Sequence, residues 1–585
     1  MLFTRYKKSF PGLYGFPVCR LPLLALCVAT LLVLSACSGV VQRSDQPVEP
    51  TKQPGRDAAL EALEQGKALQ QSHQTEAAIL AYKKALQLKE NYAEAHYELG
   101  WSYWIKGDWE QVIKHWEIAR DLKLQKPQFA DYLVQAGKNL EGKADNLVRV
   151  EVGATAAAAD GSLRLALSGR YQRYNPNPVA KTDFYDTGVR SPKSVQFHPT
   201  KNKVYVNSLE GAKTVVYDSE SGKKLTQINH VFNAKNAALF ATQQTYRWME
   251  MPADISKPYQ FTGKPVEQTF SPDGKYIWVP YYRRSYDELS TLPSALALID
   301  TDTDKIIRMF DTGPIPKYVT ASSDGKWLAV THWGDNTVGL IKTEGEPTEY
   351  KYDKLIVIGS RVRLDKIKSA DRDHGCGLCL RGSVFSKDNK YLFIARMGGG
   401  GIAVIDVLKK RYIGSIFGMP HTPRHLLLSP DGNQLYLSSN MHGSVSKYNV
   451  ADIVKAVKKK QRQLKPLVTT RTGSGTRTIS ISPDGKYIFA AVNKESRVVA
   501  LQAADLAFLF QINADSYPVG MDISPDGKQL WVTAQGRKGR GGDSVMVYSI
   551  SSVPAGQPDG VNVSAPQAVK ADTKPVVGKQ DMKAK

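Results

Sequence analysis

The length of 585 residues excludes a single ordinary domain, and 42% hydrophobic side chains supply material for several folded modules. A formal charge of +22 favours anionic partners, whether nucleic acid, anionic polysaccharide or lipid head groups, and carries no information about fold.

The chain opens with Arg5, Lys7, Lys8 and Arg20, followed by the apolar run 21–34 and then Leu34-Ser35-Ala36-Cys37. A basic stretch, a short apolar stretch and small residues describe a secretory signal (1–36), too short for a membrane-spanning helix. The last four residues resemble the lipobox of bacterial lipoproteins. That resemblance implies that Cys37 becomes the acylated first residue and that, with Ser38 after it, the protein is sorted to the outer membrane, facing periplasm or surface. Cys19 and Cys27 leave with such a signal, so Cys376 and Cys379 remain as a close pair in an oxidising compartment. Residues 37–56 are polar, contain Pro and lack apolar periodicity, which reads as a flexible tether.

Residues 57–141 change to a helical pattern. Gly66, Ala78, Tyr82, Ala85 and Leu88 are matched 34 residues later by Gly100, Val112, Trp116, Ala119 and Leu122. The spacing and residue types resemble the tetratricopeptide repeat, an all-α unit of stacked helix pairs, and 127–140 supplies a capping helix. The resemblance implies a surface that binds a peptide or another protein; a spacer beside the next domain is the alternative. Residues 142–182 read as a linker with a possible β-hairpin.

The remainder, 183–551, is organised by a recurrent turn. His198-Pro199-Thr200-Lys201-Asn202, Ser271-Pro272-Asp273-Gly274, Ser322-Ser323-Asp324-Gly325, Ser386-Lys387-Asp388-Asn389, Ser429-Pro430-Asp431-Gly432, Ser482-Pro483-Asp484-Gly485 and Ser524-Pro525-Asp526-Gly527 each separate two short apolar or alternating runs. Such residues tolerate the positive φ of hairpin turns, and seven hairpins at repeat spacing predict an all-β propeller of seven four-stranded blades. Phe184-Tyr185-Asp186-Thr187-Gly188 copies Met309-Phe310-Asp311-Thr312-Gly313, so 183–186 is expected to complete the last blade and close the ring. Val204-Tyr205-Val206-Asn207, Leu328-Ala329-Val330-Thr331 and Leu530-Trp531-Val532-Thr533 resemble the YVTN family of bacterial β-propellers. Relatives in that family include surface proteins, a DNA-binding periplasmic protein, lactonases and haem d1 domains, so the resemblance implies a fold more than a function. Insertions at 227–263 (a possible cap containing Tyr246-Arg247-Trp248-Met249), 342–381 and 451–465 (a short basic helix) interrupt the array. The tail 552–585 reads as disordered.

The candidate binding residues come from register. Five residues before each turn stand Lys193, Val266, Lys317, Arg381, Arg424, Arg477 and Val519, five of them cations, at the start of the innermost strands. Repetition places them around one mouth of the central channel, where focused potential attracts an anion. His374, Cys376 and Cys379 form the second candidate. Leu380 follows the second cysteine where covalent haem attachment needs His, and three ligands fall short of a closed zinc site, so a disulfide leads, with redox exchange or weak metal binding as alternatives. His332, His421, His425 and His442 fit no ligand spacing. With no nucleophile motif and no carboxylate pair, no cofactor is called for. The expected role is a cell-envelope binding or scaffold lipoprotein, contacting a protein through its repeats and an anionic ligand, polymer or nucleic acid at the basic mouth. The alternative is a redox or hydrolytic propeller with haem, a metal or a lactone substrate in the channel.

Overall fold

The computed structural model describes residues 57–141, 148–240, 259–287, 289–362, 364, 375–536 and 542–552. Cys37 with its signal, the 246–249 segment, His374 and the tail lie outside these residues.

Five helices form the N-terminal unit: α1 (Ala58–Gln71), α2 (Thr75–Leu88), α3 (Ala93–Lys106), α4 (Trp109–Asp121) and α5 (Phe129–Glu141). The 34-residue repeat has a steric cause. A Cβ on Gly66 would stand 2.4 Å from the Tyr82 ring, and one on Gly100 would stand 2.1 Å from Trp116 Nε1. Each aromatic ring therefore lies flat on a bare stretch of the preceding helix, and Ala78, Ala85 and Ala119 bring the backbones close around it. Asp57 and Asp108 cap α1 and α4 by accepting backbone N–H bonds. Between α3 and α4, His96 and His115 meet Nδ1 to Nδ1 at 2.9 Å, while His96 Nε2 lies 3.1 Å from the Glu90 carbonyl. That carbonyl requires a proton on His96 Nε2, so His115 Nδ1–H donates to His96 Nδ1 and both rings are neutral.

Seven blades follow. Blades 1 and 3 to 6 are four-stranded meanders whose innermost strands are Pro192–Phe197, Pro316–Ala321, Leu380–Phe385, Pro423–Leu428 and Thr476–Ile481. Blade 2 differs, because its inner edge is broken into Phe261–Pro265 and Thr269–Phe270, both paired to Tyr276–Arg284. Within the turns only the glycine, or Asn389 in blade 4, takes positive φ. The preceding Ser does the rest: Ser271 Oγ donates to Asp273 at 2.6 Å and accepts the Tyr276 N–H at 3.0 Å, and Ser322, Ser386, Ser429, Ser482 and Ser524 repeat this. In blade 1 His198 Nδ1 takes the role, accepting from Thr200 and Lys201.

Ring closure corrects the expectation from sequence. The fourth strand of blade 7 is Arg164–Gln172, antiparallel to Ser544–Ser551, so the hairpin placed in the linker belongs to the propeller. Asp183–Tyr185 pairs in parallel with the outer edge of that strand, an edge it shares with Thr155–Ala157. A nine-residue strand with Leu165 and Leu167 fully buried supplies a core face that a three-residue strand lacks. Arg170, on the closing strand, binds Asp183 and Asp515 and donates to the Val150 carbonyl at 2.6 Å, all within the interior. Helix α6 (Val450–Lys458) is the expected basic insertion of blade 5.

Two expectations test these contacts. Arg170→Ala strands two buried carboxylates and lowers propeller stability by about 3–5 kcal/mol, read from denaturant unfolding. Burial holds His96 at a pKa of about 4 and His115 well below its usual value. An unfolded histidine titrates near 6.5, so the unfolded state takes up protons first and the helical unit loses stability as pH falls from about 6.5 towards 4. Tryptophan fluorescence melts across that range check this, with His115→Gln flattening the dependence.

Candidate functional site: the basic mouth of the channel

In six blades the pairing between the first two strands slips at one place. The slips fall between Pro192 and Ser194, Pro316 and Tyr318, Leu380 and Ser383, Pro423 and Leu426, Thr476 and Ile479, and Pro518 and Gly520. Each interval contains the residue found by counting from the turn. An extra residue in one strand bends it and re-aims its side chain. The bulged backbone is held from the neighbouring blade by the polar residue that ends the YVTN-like strand. Asn207 Nδ2 donates to the Val266 carbonyl at 2.7 Å, Thr331 Oγ1 to that of Arg381 at 3.0 Å and Ser438 Oγ to that of Arg477 at 2.5 Å.

The structure brings four of the five cations into one cluster. Lys193, Arg381, Arg424 and Arg477 are 8%, 4%, 9% and 7% exposed, and each acts electrostatically on Glu267. Lys317 lies 4.0 Å from the Tyr282 ring centroid and 5.4 Å from that of Trp333, the indole that Arg381 also approaches. Glu267 is the residue that sequence reasoning missed. It occupies the break in the blade 2 inner edge, accepts from Arg381 Nη2 at 3.0 Å, and leaves Oε2 and Arg381 Nη1 buried without hydrogen-bond partners. Burial alone would raise the Glu267 carboxyl, but Arg381, Lys193, Arg477 and Arg424 bring it down to about 2. Burial, with Arg477, Arg381 and Arg424 adding repulsion, drives the Lys193 ammonium well below the usual lysine range against the pull of Glu267. Three buried guanidiniums and the depressed amine of Lys193 thus surround the Glu267 carboxylate, an arrangement that favours negative charge.

Next to this cluster lies the register one residue further along: Ser194, Glu267, Tyr318, Gly382, His425, Thr478 and Gly520. Reading that second row would have found both Glu267 and His425. His425 Nδ1 accepts the Ile479 N–H, so Nε2–H faces Tyr318 Oη at 2.9 Å, and burial lowers the imidazole to about 4. Asp522, deeper on blade 7, is raised by burial to about 7. The other histidines serve packing or stay outside: His332 is buried between Thr337 and the Gly313 N–H, His442 bonds Ser444, and His421 is exposed. Towards the turn side, blades 2 to 5 border an open cavity of about 450 Å³ whose lining mixes Phe270, Val384 and Leu428 with Ser322, Lys387 and Asn389.

Cys376 and Cys379 are joined in a buried disulfide just before Arg381. The Met397 N–H donates to the Cys379 carbonyl, and Met397 Sδ accepts from Arg424 Nη1 at 3.4 Å, so the loop braces two cations of the mouth. Among the described residues no three His, Cys, Asp or Glu side chains are grouped to hold a metal.

The helical unit docks on this same side. Glu117 of α4 accepts from Arg173 and Arg190, each at 2.7 Å, and Arg190 lies three residues before Lys193. Lys114 acts on Lys264, Glu210 and Arg283, and burial foremost lowers it to about 8.

The fold defines a class: tetratricopeptide-type helices carried by a seven-bladed β-propeller. The TPR repeat family matches residues 66–119, and the family described as "Lactonase, 7-bladed beta-propeller" matches 300–551. Antigen Lp49 of Leptospira interrogans is 25% identical over 248 residues, 39% of this chain and 50% of that protein, so the chain spans about half the length of this curated relative. Similar solved structures include the Cps50 (Swd1) β-propeller domain of Myceliophteria thermophila, with 11% identity, 62% of this chain, 97% of that chain and a TM-score of 0.45. Kuenenia stuttgartiensis hydrazine synthase matches with 14% identity, 61% and 96% coverage and a TM-score of 0.42.

Glu267→Gln removes a carboxylate on which Lys193, Arg381, Arg424 and Arg477 all act. In anion-free buffer it is expected to lower stability by about 3–5 kcal/mol, and millimolar phosphate should restore a measurable part. Denaturant titrations with and without phosphate check this.

Proposed function

We propose that the chain is a lipid-anchored protein of the bacterial outer membrane that works by binding: the helical repeats hold a protein partner and the basic mouth beside them takes an anionic ligand. The observation that carries this reading is the α4 docking, since Glu117 joins the partner-binding type of module to loops leading directly into Lys193. Repeats of this type and propellers both serve protein recognition, and the buried cation cluster favours an anion over a neutral ligand. The sequence around Cys37 supports the anchor, and the similarity to a protein named as an antigen agrees with an envelope location.

Three measurements test the reading. Radiolabelled palmitate should enter the wild-type chain and not Cys37→Ser, and affinity purification from detergent-solubilised envelopes should retain a partner that Glu117→Ala weakens. Anion binding at the mouth should draw a proton onto Lys193, so affinity falls as pH rises; calorimetry in buffers of different ionisation enthalpy reads that uptake.

A second reading is hydrolysis in the channel, favoured by the neutral His425 beside Tyr318, Glu267 and Arg381 and by the lactonase-family match. Turnover of a lactone that is abolished in His425→Ala would select it.

A further inference from the structure

Helix α6 departs from blade 5 at Asn449, whose side chain caps it by accepting the Ala451 and Asp452 N–H groups. Its inner residues Ile453, Ala456 and Val457 are buried among Ile416, Leu435, Leu437 and Tyr448. The apolar face is thus consumed by the propeller, and only the charged face is free. That face and the turn after it present Lys455, Lys458, Lys459, Lys460, Arg462 and Lys465, all exposed, against the single acid Asp452. Among the described residues none of the six forms an ion pair. Lys458 lies 5.4 Å from the centroid of Tyr391, whose cross-strand partner is Asp406. Asp406 begins a turn in which Lys409 pairs with Asp406 and Lys410 with Asp353, and which adds the exposed Arg411 and projects Leu408, 74% exposed. At the other end of α6, Leu467 is 61% exposed, and its N–H bonds the Lys447 carbonyl two residues before the cap.

We propose that this rim of blades 4 and 5 is the surface by which the protein lies on an anionic lipid leaflet. The lysines and Arg462 engage head-group phosphates, and Leu408 and Leu467 at either end enter the interface. A single-stranded nucleic acid is the less suitable occupant, because the cations stand on an outward edge and the rings among them, Tyr391 and Trp327, are half-buried with Lys458 and Lys410 already over them. The inference is independent of the channel mouth and of acylation at Cys37.

The test is co-sedimentation of the full chain carrying Cys37→Ser with vesicles of phosphatidylcholine alone or mixed with phosphatidylglycerol. Any contribution of the N-terminal apolar run appears in both and cancels. Wild-type rim residues should give an anionic increment that salt removes, and each of Lys455→Gln, Lys458→Gln, Lys459→Gln and Lys460→Gln should weaken it about fivefold. Leu408→Ser with Leu467→Ser should reduce the fraction that survives salt. Lys84→Gln, Lys89→Gln, Lys123→Gln and Lys181→Gln together remove the same charge from exposed positions elsewhere and should change nothing. Equal losses in that control, no anionic increment, or binding of single-stranded oligonucleotide with none to vesicles would each overturn the proposal.

Discussion

The bulge at the start of the innermost strand in six blades is the constraint on which the rest of the molecule turns. A regular strand would alternate its side chains between the two neighbouring blades. In six blades the extra residue breaks that alternation once, at the position counted from the turn, and blade 2 has a broken inner edge there instead. Asn207, Thr331 and Ser438 hold the bulged carbonyls from the adjoining blade, which makes the mouth a product of blade-to-blade packing. Without those staples the buried cations would have no reason to stay together, since they repel.

Blade 2 supplies the counterweight. Its inner edge is interrupted, and the gap admits Glu267 where the other blades carry Ser, Tyr, Gly, His or Thr. Among these groups Arg381 Nη1 is left without a hydrogen-bond partner, and burial with the neighbouring guanidiniums depresses Lys193. Lys317, in the same register, lies over Tyr282 and shares the Trp333 indole with Arg381.

Much of the architecture was legible. The 34-residue match and the seven turns follow from local steric needs: a ring lying on a glycine, and a glycine or asparagine in a left-handed turn. The closing strand was not legible in the same way. Phe184-Tyr185-Asp186 copies the outer strand of blade 2 in sequence, yet Arg164–Gln172 takes the position, because length and burial on two faces decide strand placement over short-range likeness. Reading the register for cations found Lys193, Arg381, Arg424 and Arg477, but passed over Glu267 and His425, which sit one residue further along.

By itself the sequence determined what is periodic: the helical repeats, the number of blades, and the height at which basic residues recur, since each is set by contacts within a repeat. Tertiary structure decided what is not periodic. Which strand closes the ring, which carboxylate meets the arginines and where the helical unit docks depend on residues far apart in the chain. Arg170 with Asp515, Arg381 with Glu267 and Glu117 with Arg190 are such pairs, and only the closed ring brings them within bonding distance.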